Sequence, residues 1–118
     1  MGKYALKHGK IIDGTGKEPI SQGTLLIDGK KISFVGEDIE VNDEYESIDC
    51  TGKTLMPGII DTHLHFSGSL TDDDSDWVLE PKLQKAVVAV QQAKECLLGG
   101  LTTVGEIGFI GLHIRDMV

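Results

Sequence analysis

The stretch Leu55-Met-Pro-Gly-Ile-Ile-Asp-Thr-His-Leu-His65 constrains this chain more than any other. Ile59, Ile60 and Leu64 favour a strand, and Pro57-Gly58 places a turn just before it. Successive side chains of a strand point to opposite faces. Asp61, His63 and His65 are therefore expected on one face, with Ile60, Thr62 and Leu64 on the other. Ile60 and Leu64 suit packing against a helix layer. An acid and two imidazoles are poor core material unless something satisfies them.

Alternate positions on one face lie about 6.5–7 Å apart along the backbone, close enough for two imidazoles to converge on one ion. A metal takes neutral imidazole nitrogen, and a nearby carboxylate can fix the ring tautomer. His63 and His65 are thus candidate metal ligands, and Asp61 is the candidate carboxylate behind them. The bland alternative is two solvated histidines on an edge strand, with Asp61 as an ion-pair partner.

The chain before this stretch reads as short strands and tight turns. Tyr4 to His8 is a first strand with a turn at Gly9-Lys10, and Lys10 to Asp13 follows. Gly23 to Asp28 and Lys31 to Val35 make a hairpin about Asp28-Gly29. Ile32 and Phe34 mark the apolar face of the return strand. Glu37 to Tyr45 is an acidic connection, Glu46 to Cys50 another strand, and Thr51-Gly52-Lys53 a turn. Such spacing suggests an all-β unit, as in a sandwich or small barrel.

After His65 the pattern changes. Phe66 to Trp77 reads as polar, within a strand-to-helix loop that runs to Glu80. Asp72-x-Asp74-x-Asp76 starts like a calcium loop, but Trp77 replaces the turn glycine and Leu83 stands where the bidentate glutamate belongs. A solvated loop is the reading, with Trp77 as its anchor. Pro81 to Leu98 is a helix whose buried stripe is expected at Ala86, Val87, Val90, Ala93, Cys96 and Leu97, stopped by Gly99-Gly100. Leu101 to Val104 is a strand, and His113 opens a second helix. From residue 54 onward the order is strand, helix, strand, helix, which implies parallel strands with crossover helices. The expected fold is α/β: residues 1–54 as a β unit and 55–118 as the start of an α/β unit.

The net charge of −8 disfavours nucleic acid and anionic membranes as partners, since neither would gain by contact. No apolar run has signal-peptide or membrane-span length, so a cytoplasmic location is expected. Cys50 and Cys96 match no zinc or redox spacing and read as free thiols. His8 and His113 read as surface residues.

These residues carry a family resemblance. Cys50-Thr-Gly52-Lys53 and the Leu55–His65 stretch resemble the amidohydrolase superfamily, metal-dependent hydrolases and deaminases on a TIM-like (β/α)8 barrel. Lys10-Ile-Ile-Asp-Gly-Thr-Gly16 and Leu26 to Gly36 resemble its N-terminal β-sandwich strands. Leu98-Gly-Gly-Leu-Thr-Thr-Val-Gly-Glu-Ile-Gly108 with Ile114-Arg-Asp116 resembles the second barrel strand of the imidazolonepropionase-like and prolidase-like branch. The resemblance implies that 1–54 is part of the sandwich and that 55–118 opens a truncated barrel. His63 and His65 would be first-strand metal ligands. Zinc is the implied metal, commonly two ions in a full-length protein, with other divalent metals open. Where that branch often has Arg then Asp, this chain has Gly105 and Glu106. Glu106 keeps a carboxylate at the strand's end, either for an ion pair or for the active site.

The implied activity is hydrolysis of C–N bonds in amides, cyclic amides or dipeptides by metal-activated water, on a small-molecule substrate. A deaminase of the same superfamily and a non-catalytic assembly module are the alternatives. In the family a bridging carboxylated lysine, two further histidines and the general-base aspartate come from later strands. A barrel takes about 250 residues, so this chain is expected to be an N-terminal portion, inactive alone, completed by further chain or by another chain. Its unpaired edges leave homo-oligomer formation open.

Overall fold

In the computed structural model, described here for residues 2–66, 79, 81–108 and 111–116, the chain divides into two compact units, Met1–Pro57 and Gly58–Val118. The expectations placed on Asp72 to Asp76 and on Trp77 lie outside the described residues.

The first unit is built on one long strand. Strands β1 (Lys3–Ile11), β2 (Ile20–Asp28), β3 (Lys31–Glu37), β4 (Glu46–Asp49) and β5 (Thr54–Leu55) form one mixed five-stranded sheet. Its order is β3-β2-β1-β4, with β5 also paired to β1. The β2–β3 hairpin turns at Gly29-Lys30, as the Asp28-Gly29 signal predicts, with Asp28 opposite Lys31. Along its other edge β1 takes β4 and then β5, both parallel. The turn between them bonds Lys53 N–H to Cys50 O at 2.9 Å, and Gly52 has the positive φ of 75° that a type II turn needs at its third position.

Two sequence expectations for this unit are corrected. The chain does not turn at Gly9-Lys10; β1 continues to Ile11. A bulge absorbs the irregularity, since the pairing with β2 shifts on either side of Gly9 and His8 takes a left-handed φ of 62°. Nor do Ile32 and Phe34 share a face by simple alternation. Phe34 opposes Leu26 while Ile32 opposes Ile27, so Ser33 is the extra residue of a bulge. Ile32 is left 63% exposed.

The small core of this unit comprises Ala5, Ile11 and Cys50, with Thr24 fully buried beside them. Thr24 is polar, and its hydroxyl donates to Asp38 Oδ1 at 2.5 Å. Asp38 Oδ2 in turn lies 3.3 Å from His8 Nδ1. The acid thereby ties the end of β3 to the buried hydroxyl and to the bulge of β1. The Thr24 bond, foremost, holds the Asp38 carboxyl below its ordinary pKa.

In the second unit, β6 (Ile59–Leu64) and β7 (Leu101–Glu106) pair in parallel, and helix α1 (Lys82–Leu98) lies between them in sequence. A short helix α2 (Gly111–Arg115) follows, two residues earlier than the sequence places it. The extended backbone of Pro81 starts α1, and Gly99 and Gly100 close it with N–H bonds to Glu95 O and Leu97 O.

The core here is Phe66, Ala89 and Ile114, with Leu64, Ala93, Cys96 and Val104 packed on it. The helix stripe is therefore narrower than expected and set differently. Ala93 and Cys96 face the core as predicted, but Ala89 takes the central buried place, and Val87, Val90 and Leu97 are exposed. On the strand, Leu64 packs as expected whereas Ile60 is 67% exposed. One helix over two strands covers only a strip of each. Cys50 and Cys96 are both free, and His8 and His113 are exposed. Among the described residues no helix is long and apolar enough to cross a membrane.

Candidate metal centre

Parallel pairing brings the C-terminal ends of β6 and β7 to one edge, where Leu64 is opposite Glu106. His63 lies in the last turn of pleat of β6 and His65 just beyond it, both exposed. Between Asp61 and Leu64 the strand advances three residues while β7 advances two, from Val104 to Glu106. This bulge sets His63 out of the regular ladder, and such irregularities re-aim side chains beside functional sites.

Asp61 holds the bulge. Its Oδ1 accepts the backbone N–H of His63 at 3.0 Å. The carboxylate thus grips the main chain of His63, which is a different contact from the ring contact that strand alternation suggested.

The two rings meet edge to face, at an interplanar angle of 76° and a centroid distance of 5.1 Å. His63 Nε2 and His65 Nε2 stand 3.2 Å apart. Two bare imidazole lone pairs at that distance repel, so a positive centre belongs between them. A proton serves if one ring donates its N–H to the other. A tetrahedral zinc ion serves equally, since two nitrogens at 2.0–2.1 Å from it are separated by about 3.3–3.4 Å. The residues present fit two adjacent ligands of one such ion. Among the described residues no group of three or more His, Cys, Asp and Glu is arranged to hold a metal, so this pair is an incomplete donor set.

Glu106 ends β7 at the same edge. It is half-buried, and its Oε1 accepts the Gly108 N–H at 2.8 Å. Among the described residues it forms no ion pair. A cavity of about 570 Å³ opens on the helix side of β7, lined by Cys96, Val104, Glu106 and Leu112 among others. Neither His63 nor His65 lines it, and its walls are mainly apolar, with Ala93, Cys96 and Leu97 of α1 among them.

Residues 54–117, more than half of the chain, match the model of the amidohydrolase family. The chain belongs to the amidohydrolase family. Among curated relatives of this amidohydrolase chain, a dihydroorotase from Wolbachia sp. subsp. Drosophila simulans (strain wRi) is 36% identical over 103 residues, covering 86% of this chain and 20% of that protein. A 5'-deoxyadenosine deaminase from Methanobrevibacter smithii is 33% identical over 103 residues, covering 75% of this chain and 24% of the relative. Among solved structures, a Xaa-Pro dipeptidase with methionine bound in its active site superposes with a TM-score of 0.83 at 28% identity, covering 98% of this chain and 29% of that one. The chain therefore spans about a fifth to a quarter of the length of these curated relatives.

Sequence reasoning found the imidazole pair but not the loop beside it. Gly108 and Gly111 both crowd the Glu106 carboxylate, so tightly that a side chain at either would overlap it. The only trace of this in the sequence is the recurrence of glycine after a strand-ending acid.

Proposed function

We propose that this amidohydrolase chain carries the first-strand half of a divalent-metal centre in an enzyme that hydrolyses C–N bonds of small amides, cyclic amides or dipeptides. The observation that supports it most is the 3.2 Å approach of His63 Nε2 and His65 Nε2 at the C-terminal end of a parallel strand pair. Barrel enzymes place their chemistry at that end of their strands. In this reading residues 1–54 are part of a small β-sandwich, and 55–118 are the opening of a (β/α)8 barrel. His63 and His65 hold the metal by Nε2. Asp61 fixes the main chain under His63 through its bond to the backbone N–H. A zinc or other divalent ion, when bound, supplies a Lewis acid and a water of lowered pKa.

The kinship with a deaminase at 33% identity supports a second reading, in which the C–N bond broken is that of an amino substituent on a ring. Both readings use the same histidine pair. They part on the substrate that fills the site.

The test is calorimetric titration of the purified chain with zinc, beside His63→Ala and His65→Ala. The expected result is weak uptake of one ion, abolished in each variant. Equal uptake by wild type and both variants would defeat the ligand assignment.

A further inference from the structure

We propose that the cavity between α1, β7 and α2 binds a small apolar amine, with Glu106 taking its ammonium group and the apolar walls taking its hydrocarbon tail. The proposal does not rest on the metal reading, since neither histidine lines this cavity.

Size is the first support. The cavity holds about 570 Å³, and small-molecule sites run from about 300 to 1,000 Å³. Its walls all belong to the second unit. The buried Phe66 and Ile114 form its inner surface, and the half-buried Val104 continues it along β7. Leu97 of α1 and Leu112 of α2, 62% and 67% exposed, are its outer lips. A hydrocarbon tail laid between them removes apolar surface from water.

Charge decides the class of ligand. Among the described residues, the charged side chains that line the cavity are Glu106 and Arg115. Arg115 is already neutralised, because its Nε and Nη2 both donate to Asp116 Oδ1, at 2.8 and 2.6 Å. Glu106 is not. Its Oε1 accepts the Gly108 N–H at 2.8 Å, while its Oε2 has no partner among the described residues. Gly111 keeps that oxygen uncovered, since a Cβ there would overlap it. One negative charge therefore stands uncompensated, half-buried beside apolar walls. Such a carboxylate is stabilised by a cation that also donates hydrogen bonds, and an ammonium group does both. An apolar anion would meet a like charge there, and a plain hydrocarbon would leave the carboxylate unpaired. The net charge of −8 favours the approach of a cation in the same sense.

The competing account is an apolar gap that a second copy of the chain covers. NMR titration of the metal-free, methyl-labelled 118-residue chain with n-hexylammonium chloride separates the two. An alkylammonium stays charged at neutral pH, as the lysine side chain does. The methyl signals of Val104, Leu112 and Ile114 are expected to shift saturably, and those of Ala5 and Ile11 in the first unit to stay in place. Affinity should weaken about two- to fourfold for each methylene removed between hexyl- and butylammonium. Glu106→Gln should weaken it about 5–10-fold, as for an ion pair that is only half-buried. Hexanol should bind more weakly than hexylammonium, and hexanoate more weakly still. Backbone signals of α1 check that the variant is folded. The ligand series is read on the wild-type chain, so it decides the matter even if the variant is not. Absence of a saturable shift at the three methyl positions overturns the proposal. So does equal affinity for hexanol and hexylammonium, or equal affinity of a folded Glu106→Gln chain. Methyl signals that follow protein concentration and ignore the amine assign the cavity to a second copy and overturn it as well. The sample holds no metal, so failure here leaves the zinc titration of the histidine pair to stand or fall by itself.

Discussion

A Cβ on Gly105 would come within 2.6 Å of the carbonyl oxygen of Thr62. The bulge of β6 presses its main chain onto β7 at this point, and only a residue without a side chain fits beneath it. Gly105→Ala is therefore expected to destabilise the second unit by about 1–3 kcal/mol, the usual cost of forcing atoms into a packed place. Amide hydrogen exchange checks it. The Ile59 N–H, bonded to Gly100 O, and the Ile107 N–H, bonded to Leu64 O, should both lose protection.

The histidine pair offers two nitrogens where a catalytic zinc site has three protein ligands and an open position. The 118-residue chain by itself is expected to show no zinc-dependent hydrolysis of cyclic amides or dipeptides. Turnover by the purified chain, with its mass confirmed, would contradict the half-site reading.

Thr24 is buried completely, and its hydroxyl is shared between Asp38 and the Ile39 N–H. Thr24→Val keeps the shape and removes both bonds. The expected loss is about 1.5–3 kcal/mol in urea unfolding of the first unit, because a hydrogen bond to the charged Asp38 carboxylate is removed. A change below a few tenths would mean that water replaces the hydroxyl.

Asp13, Asp38 and Asp49 all have carboxyl pKa values lowered from 3.8, by hydrogen bonds from Thr15, Thr24 and Thr51 respectively. The folded state therefore holds these protons more weakly than the unfolded chain does. The stability they contribute is present in full above the ordinary carboxylate value and is lost as pH falls through the lowered folded values. The first unit should keep a flat stability profile down to that range and decline below it. Thr24→Val should remove the Asp38 share of this decline. An acid limb of the same steepness in the variant would show that the Thr24 bond is not its source.

Leu83, Val87, Val90 and Leu97 lie on α1 at helical spacing and are exposed, and Ile60 and Ile107 are exposed on the strand side. Apolar surface of this kind drives association. The chain is expected to self-associate as its concentration rises in size-exclusion chromatography with light scattering. Val87→Lys with Leu97→Lys should shift it toward monomer.

The motif at the end of β6 was legible because its signal is local: a period-two pattern, a turn before it, and residue types that make sense only if something satisfies them. The hairpin at Gly29 and the stop at Gly99-Gly100 were legible for the same reason. The bulges at His8, Ser33 and Thr62-His63 were not. Each is set by how a partner strand fits alongside, and a single strand's alternation carries no mark of it. The helix stripe failed differently. Val87, Val90 and Leu97 have the spacing of a buried face, but two strands are too narrow to cover it, and Ala89 is small enough to lie directly on the sheet. The neighbourhood of Glu106 and His65 depends on the register of β6 against β7, which spacing within either strand does not reveal.

The doubled edge of β1 also bears on how the chain is made. Synthesis delivers β1 first, and the β2–β3 hairpin covers one side of it by Glu37. The other side waits for Glu46 to Leu55, the residues of β4 and β5. At ribosomal rates of about 5–20 residues per second, that is a window of roughly one to a few seconds in which the central strand is half bare. Residues 59 to 65 are made immediately after it closes, so the histidine pair is synthesised only once the residues that fill the last edge of β1 have been made.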